Sequence, residues 1–238
     1  MPTEPESKPF KADGQFAVAG LLFSGGVDSA ILLGEMLREG RVVVPIYVRT
    51  GCVWQDCESQ AVRTFLSAVT HPNLASLVTL DMPLADLYAD HWSMTGRDVP
   101  DSASSNEAVF LPARNPLLLI KPVVWCQMHA VQALAIATLS SNPFDDATPD
   151  FFVRFERMME KAASQHVQIV RPFENLSKQD VMQLGQRLPL ELTFSCLAPV
   201  SGAHCGHCNK CAERQAAFRF IPAGDPTRYA ARLAPHRV

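Results

Sequence analysis

The sequence predicts an α/β fold with a doubly wound parallel sheet of the Rossmann-like kind, and three observations support this fold class. Short apolar runs with the length of strands alternate along the chain with segments of helical periodicity. The runs are almost continuously apolar, as in strands that are buried on both faces. A Ser-Gly-Gly turn joins the first run to the first helix, at the position where open parallel sheets bind ligands.

The first elements follow from local signals. Residues 16–23 are short and apolar and end in Ser-Gly-Gly, which is typical of a buried strand. Residues 28–39 have apolar side chains at helical spacing and are followed by Gly40, a helix stop signal. Residues 41–48 are β-branched and apolar, which predicts the second strand. Later strands are predicted at residues 75–80, 133–138 and 167–171, and later helices at residues 57–69, 116–129, 151–163 and 177–187, the last with Ser177 and Asp180 as a capping pair.

The chain divides into three segments of different composition. Residues 1–14 are charged and rich in proline and are expected to be a disordered tail. Residues 15–191 hold the alternating strands and helices of the α/β domain, and residues 192–238 hold a cysteine cluster that is expected to pack on the same domain. Residues 88–111 show no periodicity, and a loop of this length is a lid, a binding loop or a disordered segment.

Composition and charge exclude several classes of protein. The formal net charge of -3 gives no basic footprint, so a nucleic-acid partner is not expected. Residues 116–139 are the most apolar stretch, but Lys121, Pro122 and Gln127 interrupt it, which excludes a membrane span. The N-terminal residues lack the apolar segment of a signal peptide, so we expect a cytoplasmic protein.

The sequence Ser-Gly-Gly-Val-Asp-Ser after the first strand has the features of a phosphate cradle. Gly25 and Gly26 permit positive φ and close approach of the backbone, while Ser24, Ser29 and the amides of the first helical turn offer donors to phosphate oxygens. The Walker and dinucleotide-binding glycine patterns are both absent. The alternative is a glycine-rich turn in which Asp28 only caps the helix.

Four of the seven cysteines lie close together near the C-terminus, with the spacing C-x8-C-x2-C-x2-C. Four thiolates at this spacing can close a tetrahedron around a structural zinc ion. An iron–sulfur cluster or a redox dithiol is the alternative, and His204 or His207 is close enough in sequence to replace a ligand. The remaining Cys52, Cys57 and Cys126 are expected to be ordinary buried thiols. The predicted zinc ligands are Cys196, Cys205, Cys208 and Cys211.

The glycine-rich loop and the cysteine cluster together resemble the 7-cyano-7-deazaguanine synthase (ExsB) family of N-type ATP pyrophosphatases. The loop is similar to that family's PP-loop, and the cysteine segment to its C-G-x-C and C-x-x-R-x-x-A-F patterns, including Arg214 and Phe218. LPARN is similar to the family's V-P-G-R-N, with Ala113 in place of glycine, and LSKQD is similar to its S-K-x-[DE]. The likeness runs from about residue 16 to about residue 220.

The resemblance implies an adenine nucleotide alpha hydrolase-like domain and an ATP-dependent carbon–nitrogen ligase. In that family ATP adenylates 7-carboxy-7-deazaguanine, ammonia gives the amide, and a second adenylation yields the nitrile of the queuosine precursor pathway. The expected cofactors are ATP, Mg2+ and Zn2+, and the expected partners are the deazapurine carboxylic acid, ammonia and, in a homodimer, a second copy of the chain. By the same resemblance the catalytic residues are Asp28, Lys178 and Arg114, and the substrate-binding residues are Arg114, Asn115 and Asp150. The ATP-binding residues are Phe23, Ser24, Gly25, Gly26, Val27, Asp28, Ser29 and Ala30.

Two segments depart from the family at the carboxyl ends of strands, where the substrate is expected. YVRTGCVWQ stands in place of a Y-G-Q-x-H-like segment, and SNPFDDATPDFF in place of a segment like Y-P-D-C-R. The alternative function is therefore adenylation of another acid and its transfer to an amine on a protein or nucleic acid. A third interpretation is a nucleotide-binding or RNA-binding protein without turnover, against which the complete loop and the four cysteines argue.

Several residues in these motifs have a second interpretation from sequence. From position alone, Lys178 is equally a solvated surface lysine, and Arg114 is equally the anchor of a turn. Four aromatic residues in the departing segments can stack on a planar base or pack in the core. They are Trp54, Phe144, Phe151 and Phe152.

Overall fold

The computed structural model describes residues 16–163 and 165–231, so the tail predicted at residues 1–14 lies outside the described residues. Within them the chain forms a parallel sheet. Its strands are β1 Val18–Leu22, β2 Val42–Arg49, β3 Val78–Asp81, β4 Ala133–Ala135 and β5 Gln168–Val170. The strand order is β3-β2-β1-β4-β5, and every neighbouring pair is parallel. The chain thus moves from β1 to one edge and then returns past β1 to the other, which confirms the doubly wound fold.

Helices cover both faces of this sheet. They are α1 Val27–Arg38, α2 Gln55–Ala68, α3 Ala85–Tyr88, α4 Trp92–Thr95, α5 Arg114–Met128, α6 Pro149–Ala163, α7 Lys178–Leu184 and α8 Asn209–Ala217. Helices α1, α2 and α7 bury Ile31, Phe65 and Val181 in the core on one face. Helices α5 and α6 bury Leu119 and Phe155 in the core on the other. The burial of this apolar surface is the main force that holds the layers together.

The predicted elements are all present, with shifted ends. The last predicted helix ends at Leu184 instead of 187, because the chain turns at Gly185, where a Cβ would collide with Ile31 of α1 at 2.5 Å. The fourth strand keeps only three residues. Sequence periodicity did not reveal α8, which follows the cysteines directly.

Residues 88–111 are not a free loop. They contain α4 and a 3-10 turn at Asn106–Val109, and they pack on the cysteine segment. Ser102 N donates to His207 O and Asn209 N donates to Pro100 O, each at 2.9 Å. The cysteine segment and this stretch therefore form one wall above the carboxyl edge of the sheet. No helix in residues 16–163 and 165–231 is long and apolar enough to cross a membrane.

Candidate active site

The Ser-Gly-Gly loop lies between β1 and α1 at the carboxyl edge of the sheet. Strands β2 and β4 flank β1 on opposite sides, so the loop occupies the switch point where open α/β sheets bind ligands. Gly25 has a φ of +73°, and a Cβ there would lie 2.9 Å from Val62 Cγ2 of α2, so the position needs glycine. Phe194 N donates to Gly25 O (2.8 Å), and the Ser29 hydroxyl donates to Gly26 O (3.0 Å). The loop is thus held from α2 and from the C-terminal segment.

A cavity of about 410 Å³ opens next to this loop. Two polar atoms on its wall, Arg114 Nη1 and Thr138 Oγ1, are buried and have no hydrogen-bond partner among the described residues. Buried polar groups are almost always paired, so these two atoms indicate where a bound ligand would supply partners. The lining includes six of the predicted ATP-binding residues, Phe23, Ser24, Gly26, Val27, Asp28 and Ser29, but neither Gly25 nor Ala30.

Lys178 of α7 contacts the glycine-rich loop. Its Nζ donates to both carboxylate oxygens of Asp28, at 2.8 Å each. A capping box formed by Ser177 and Asp180 fixes the start of α7 and so places Lys178 in its first turn. Burial opposes the charge on Lys178, but Asp28 and then Glu213, 3.7 Å away, outweigh it and raise the pKa of the lysine. A cation therefore faces the loop.

Arg114 is the first residue of α5 and lies beside Trp54. Its guanidinium carbon is 5.9 Å from the centroid of the Trp54 ring. The preceding Ala113 has a φ of +55°, in the left-handed region that favours glycine. This conformation explains the glycine of the V-P-G-R-N pattern, and Ala113 adopts it at a cost in strain.

Glu58 is a cavity residue that no sequence motif indicated. It lies in the first turn of α2, where Tyr47 OH donates to its Oε2 at 2.9 Å. Burial raises the pKa of Glu58 to about 7, although Arg114 and the Tyr47 hydrogen bond act in the opposite direction. The signal that could have revealed it is its place in the first turn of α2, three residues after the stretch in which this chain departs from the family.

The other predicted substrate residues have different surroundings. Asn115 lines the cavity, but its side-chain amide donates to Asp146 O (3.0 Å), and its backbone N donates to Asp146 Oδ2 (3.0 Å). Asp150 is exposed on α6 and accepts a hydrogen bond from Arg154 Nε (2.7 Å), away from the cavity lining. Its role in substrate binding stays a prediction that this placement does not support. Among the four aromatic candidates, Trp54 and Phe144 line the cavity, whereas Phe151 and Phe152 pack at the α6 core.

The four clustered cysteines are all buried, and their sulfurs lie within 4.8 Å of one another. The Sγ atoms of Cys196 and Cys208 are 3.9 Å apart, and those of Cys205 and Cys211 are 3.8 Å apart. A tetrahedron with zinc–sulfur bonds of about 2.3 Å needs edges of about 3.8 Å, so the donor set fits zinc. Backbone amides point at the sulfurs, for example Cys205 N at 3.2 Å from Cys196 Sγ, as expected around thiolates.

The two neighbouring histidines are not part of this cluster, and their ring nitrogens make other contacts. Ser195 N donates to His204 Nε2 (3.2 Å), and His207 Nδ1 lies 3.2 Å from Cys205 O. Arg214 of α8 anchors the same segment: it donates to Thr227 Oγ1 and Thr193 Oγ1 at 2.8 Å and to Leu190 O at 2.9 Å. The cluster and the arginine thus hold the wall of the cavity in place.

Comparison with known proteins identifies the family. The family model described as "Queuosine biosynthesis protein QueC" matches residues 18–221. The chain belongs to the QueC family. This membership confirms the resemblance inferred from the loop, LPARN, LSKQD and the cysteines.

Curated relatives of the QueC family match most of the chain. This chain is 29% identical over 205 residues to 7-cyano-7-deazaguanine synthase 1 of Desulfitobacterium hafniense (strain Y51). The aligned region covers 84% of this chain and 90% of that protein. The chain is 30% identical over 225 residues to 7-cyano-7-deazaguanine synthase of Stutzerimonas stutzeri (strain A1501), with 89% and 97% covered.

Solved structures show a more distant likeness. NMN synthetase from Francisella tularensis aligns with 13% identity and a TM-score of 0.46, covering 79% of this chain and 68% of that one. A 4-thiouridine synthetase in a complex with RNA and bound ATP aligns with 16% identity and a TM-score of 0.49, covering 86% and 50%.

Proposed function

We propose that this protein is an ATP-dependent, AMP- and pyrophosphate-forming ligase that converts 7-carboxy-7-deazaguanine and ammonia into 7-cyano-7-deazaguanine. One observation carries the proposal: the Asp28–Lys178 pair of the glycine-rich loop and the unpartnered Arg114 line the same cavity. An anion-binding loop beside a second cationic group suits a reaction between a nucleotide and a carboxylic acid. Relatives named 7-cyano-7-deazaguanine synthase support the identity of the product, and the family resemblance implies the acid.

The chain's contribution is to position the reactants and stabilise charge. The loop amides and the hydroxyls of Ser24 and Ser29 would bind the β- and γ-phosphates. Lys178 would stabilise the negative charge on the departing pyrophosphate. Arg114 would hold the substrate carboxylate against the α-phosphate. A carboxylate oxygen attacks the α-phosphorus and pyrophosphate leaves; ammonia then displaces AMP to give the amide. The amide oxygen is adenylated in turn, and loss of AMP and protons leaves the nitrile, so each nitrile consumes two ATP.

Two metals fit residues of the site. Asp28 would hold Mg2+, which screens the phosphate charges when bound. The four cysteine thiolates would hold Zn2+, whose closed tetrahedral site is structural and keeps the wall of the cavity in place. We expect an α/β domain at 15–191 and a zinc segment at 192–238 packed on it, and the Phe194–Gly25 hydrogen bond supports that packing. We place the reaction in the cytoplasm, with a homodimer as the expected assembly.

A second candidate function keeps the adenylation but acts on a related acid and changes the acceptor to an amine on a protein or nucleic acid. The observation that favours it is the location of the departing segments. Trp54, which follows β2, and Phe144, which follows β4, both line the cavity. The wall that would contact the acid and its acceptor therefore differs from the family pattern.

The test is mass spectrometry of the zinc-loaded protein incubated with ATP, Mg2+, ammonium and 7-carboxy-7-deazaguanine. The proposal predicts AMP, pyrophosphate and the nitrile, with about two AMP per nitrile. Lys178→Met is expected to abolish AMP formation, while Lys161→Met, which removes an exposed lysine from α6, leaves it unchanged. AMP with only amide or trapped adenylate would favour the second candidate. No acid-dependent AMP from folded wild-type protein would refute the proposal, and the second candidate would then be tested with related heterocyclic acids.

A further inference from the structure

Part of the cavity wall has no role in the contacts proposed for ATP and the carboxylate. Tyr47 at the end of β2 and Trp54 and Glu58 around the start of α2 form it. Glu58 Oε2 accepts the Tyr47 hydroxyl, and Oε1 forms no hydrogen bond with any described residue. Arg114 approaches from α5 and lies near the Trp54 ring, and its Nη1 has no hydrogen-bond partner among the described residues.

A free acceptor, a free donor and an aromatic ring therefore share this part of the wall. Arg114 Nη1 is a buried donor without a partner, and the Glu58 carboxylate is an acceptor with one oxygen unused. The charge of Arg114 acts to lower the pKa of Glu58, so the two groups attract each other, yet they form no ion pair among the contacts of the described residues. A planar ligand that offers an acceptor beside donors on one edge would satisfy both groups and could lie near Trp54.

We infer that Glu58 is a specificity-determining residue that accepts the ring N–H and amino hydrogens of a guanine-type heterocycle. The inference rests on the proposed function, which supplies the deazaguanine acid. On that molecule the carboxyl group, the neighbouring carbonyl oxygen, the ring N–H and the amino group follow one another along one side. The guanidinium of Arg114 would contact the first two, and the carboxylate of Glu58 the last two, as a bidentate acceptor.

The raised pKa of Glu58 supports this role. Burial disfavours the charged carboxylate, so an empty site holds it at the border between its charged and neutral forms near pH 7. Two N–H donors from a ligand would stabilise the charged form. A metal-binding role is not supported, because the cysteine cluster is the sole group of three or more metal-ligating side chains found in the described ranges. A purely structural role would consist of the Tyr47 hydrogen bond alone, which glutamine can also accept.

The test compares Glu58→Gln with wild type and with Asp56→Asn, which removes the same charge from the same helical turn at an exposed position outside the cavity. Calorimetry without nucleotide measures binding of 7-carboxy-7-deazaguanine and of its analogue without the amino group. Wild type is expected to bind the amino form at least about tenfold more tightly, because a site built to hydrogen-bond a donor rejects a ligand that lacks it. In Glu58→Gln affinity for the acid falls about ten- to a hundredfold and the preference largely disappears, while the ATP dissociation constant stays within about twofold.

The outcomes separate the inference from the proposed function. Glu58→Gln that binds the acid as tightly and as selectively as wild type overturns the inference, even if wild type makes the nitrile. An equal fall in affinity for ATP and for the acid also overturns it, since that marks a general disturbance. If wild-type protein binds the acid with the amino preference, and Glu58→Gln loses that preference, the inference about Glu58 is supported. If this wild-type protein also forms no AMP, the proposed reaction is refuted. Wild-type protein that does not bind the acid refutes both.

Discussion

Replacing Gly25 by alanine is expected to destabilise the protein and to weaken nucleotide binding. The left-handed φ of +73° destabilises an alanine at this position by about 1–2 kcal/mol. Alanine also reduces the conformational entropy of the unfolded chain, which offsets roughly 0.5–1 kcal/mol of this cost. The new Cβ would also lie 2.9 Å from Val62 Cγ2, well inside the usual carbon–carbon contact of about 3.5–4.0 Å. Val62 is fully buried and cannot move aside freely, so overpacking adds about 1–3 kcal/mol. The total is about 1–4.5 kcal/mol.

Gly40→Ala is the matched control for this prediction. Gly40 also has a positive φ, of +82°, but a Cβ there would meet nothing within 4 Å, so only the backbone cost of about 1 kcal/mol applies. Urea unfolding gives the free energy of each variant, and titration with ATP gives its dissociation constant. Gly25→Ala should lose more stability than Gly40→Ala and should bind ATP more weakly. Equal losses in the two variants, with ATP binding intact in both, would falsify the contact between the loop and α2.

Three further predictions follow from other sites. Removal of zinc by a chelator, or Cys208→Ser, should lower the melting temperature by about 10 °C or more, because the ion closes the wall of the cavity; metal loss at constant melting temperature contradicts the structural assignment. Ala113→Gly should raise the melting temperature by about 2 °C, because glycine relieves the strain at φ +55°. Ala130→Gly changes an exposed residue that has the same φ, and it controls for the backbone effect. A lower melting temperature in Ala113→Gly would count against strain. Affinity for the acid should fall as the pH drops from about 8 to about 6, since Glu58 becomes protonated below its pKa of about 7 and loses acceptor capacity. In Glu58→Gln this dependence of the affinity on pH should vanish. A pH dependence that persists in the variant belongs to another group.

Features that depend on neighbouring residues could be predicted from the sequence. The apolar run before Ser-Gly-Gly and the stop at Gly40 place β1 and α1 to within about two residues. The spacing of the cysteines predicts the four-sulfur cluster for the same reason, since the backbone between ligands is short. The capping pair Ser177–Asp180 is likewise a local signal, and both of its hydrogen bonds form.

Contacts between distant segments could not be derived in this way. Motif likeness, not periodicity, drew attention to Lys178, and its partner Asp28 lies 150 positions earlier in the chain. The amide of Asn115 is engaged by Asp146 from another loop, which no local pattern indicates. Asp150 is a different case, because the apolar residues of α6 define its buried face and leave Asp150 on the opposite, solvated one.

The span between Asp28 and Lys178 has a consequence for how the protein becomes functional during its synthesis. A ribosome that has released β1, α1 and β2 has already made the loop, but not the lysine that pairs with it or the cysteine segment that donates Phe194 N to Gly25. A nascent chain, or a product truncated before residue 178, therefore contains the glycine-rich loop but lacks Lys178 and the cysteine segment that forms the opposite wall of the cavity. Closure of such long-range contacts is slow relative to local folding. We therefore expect nucleotide binding only after most of the chain has been made, and we expect a stalled or truncated product not to bind nucleotide even when its sheet has begun to form.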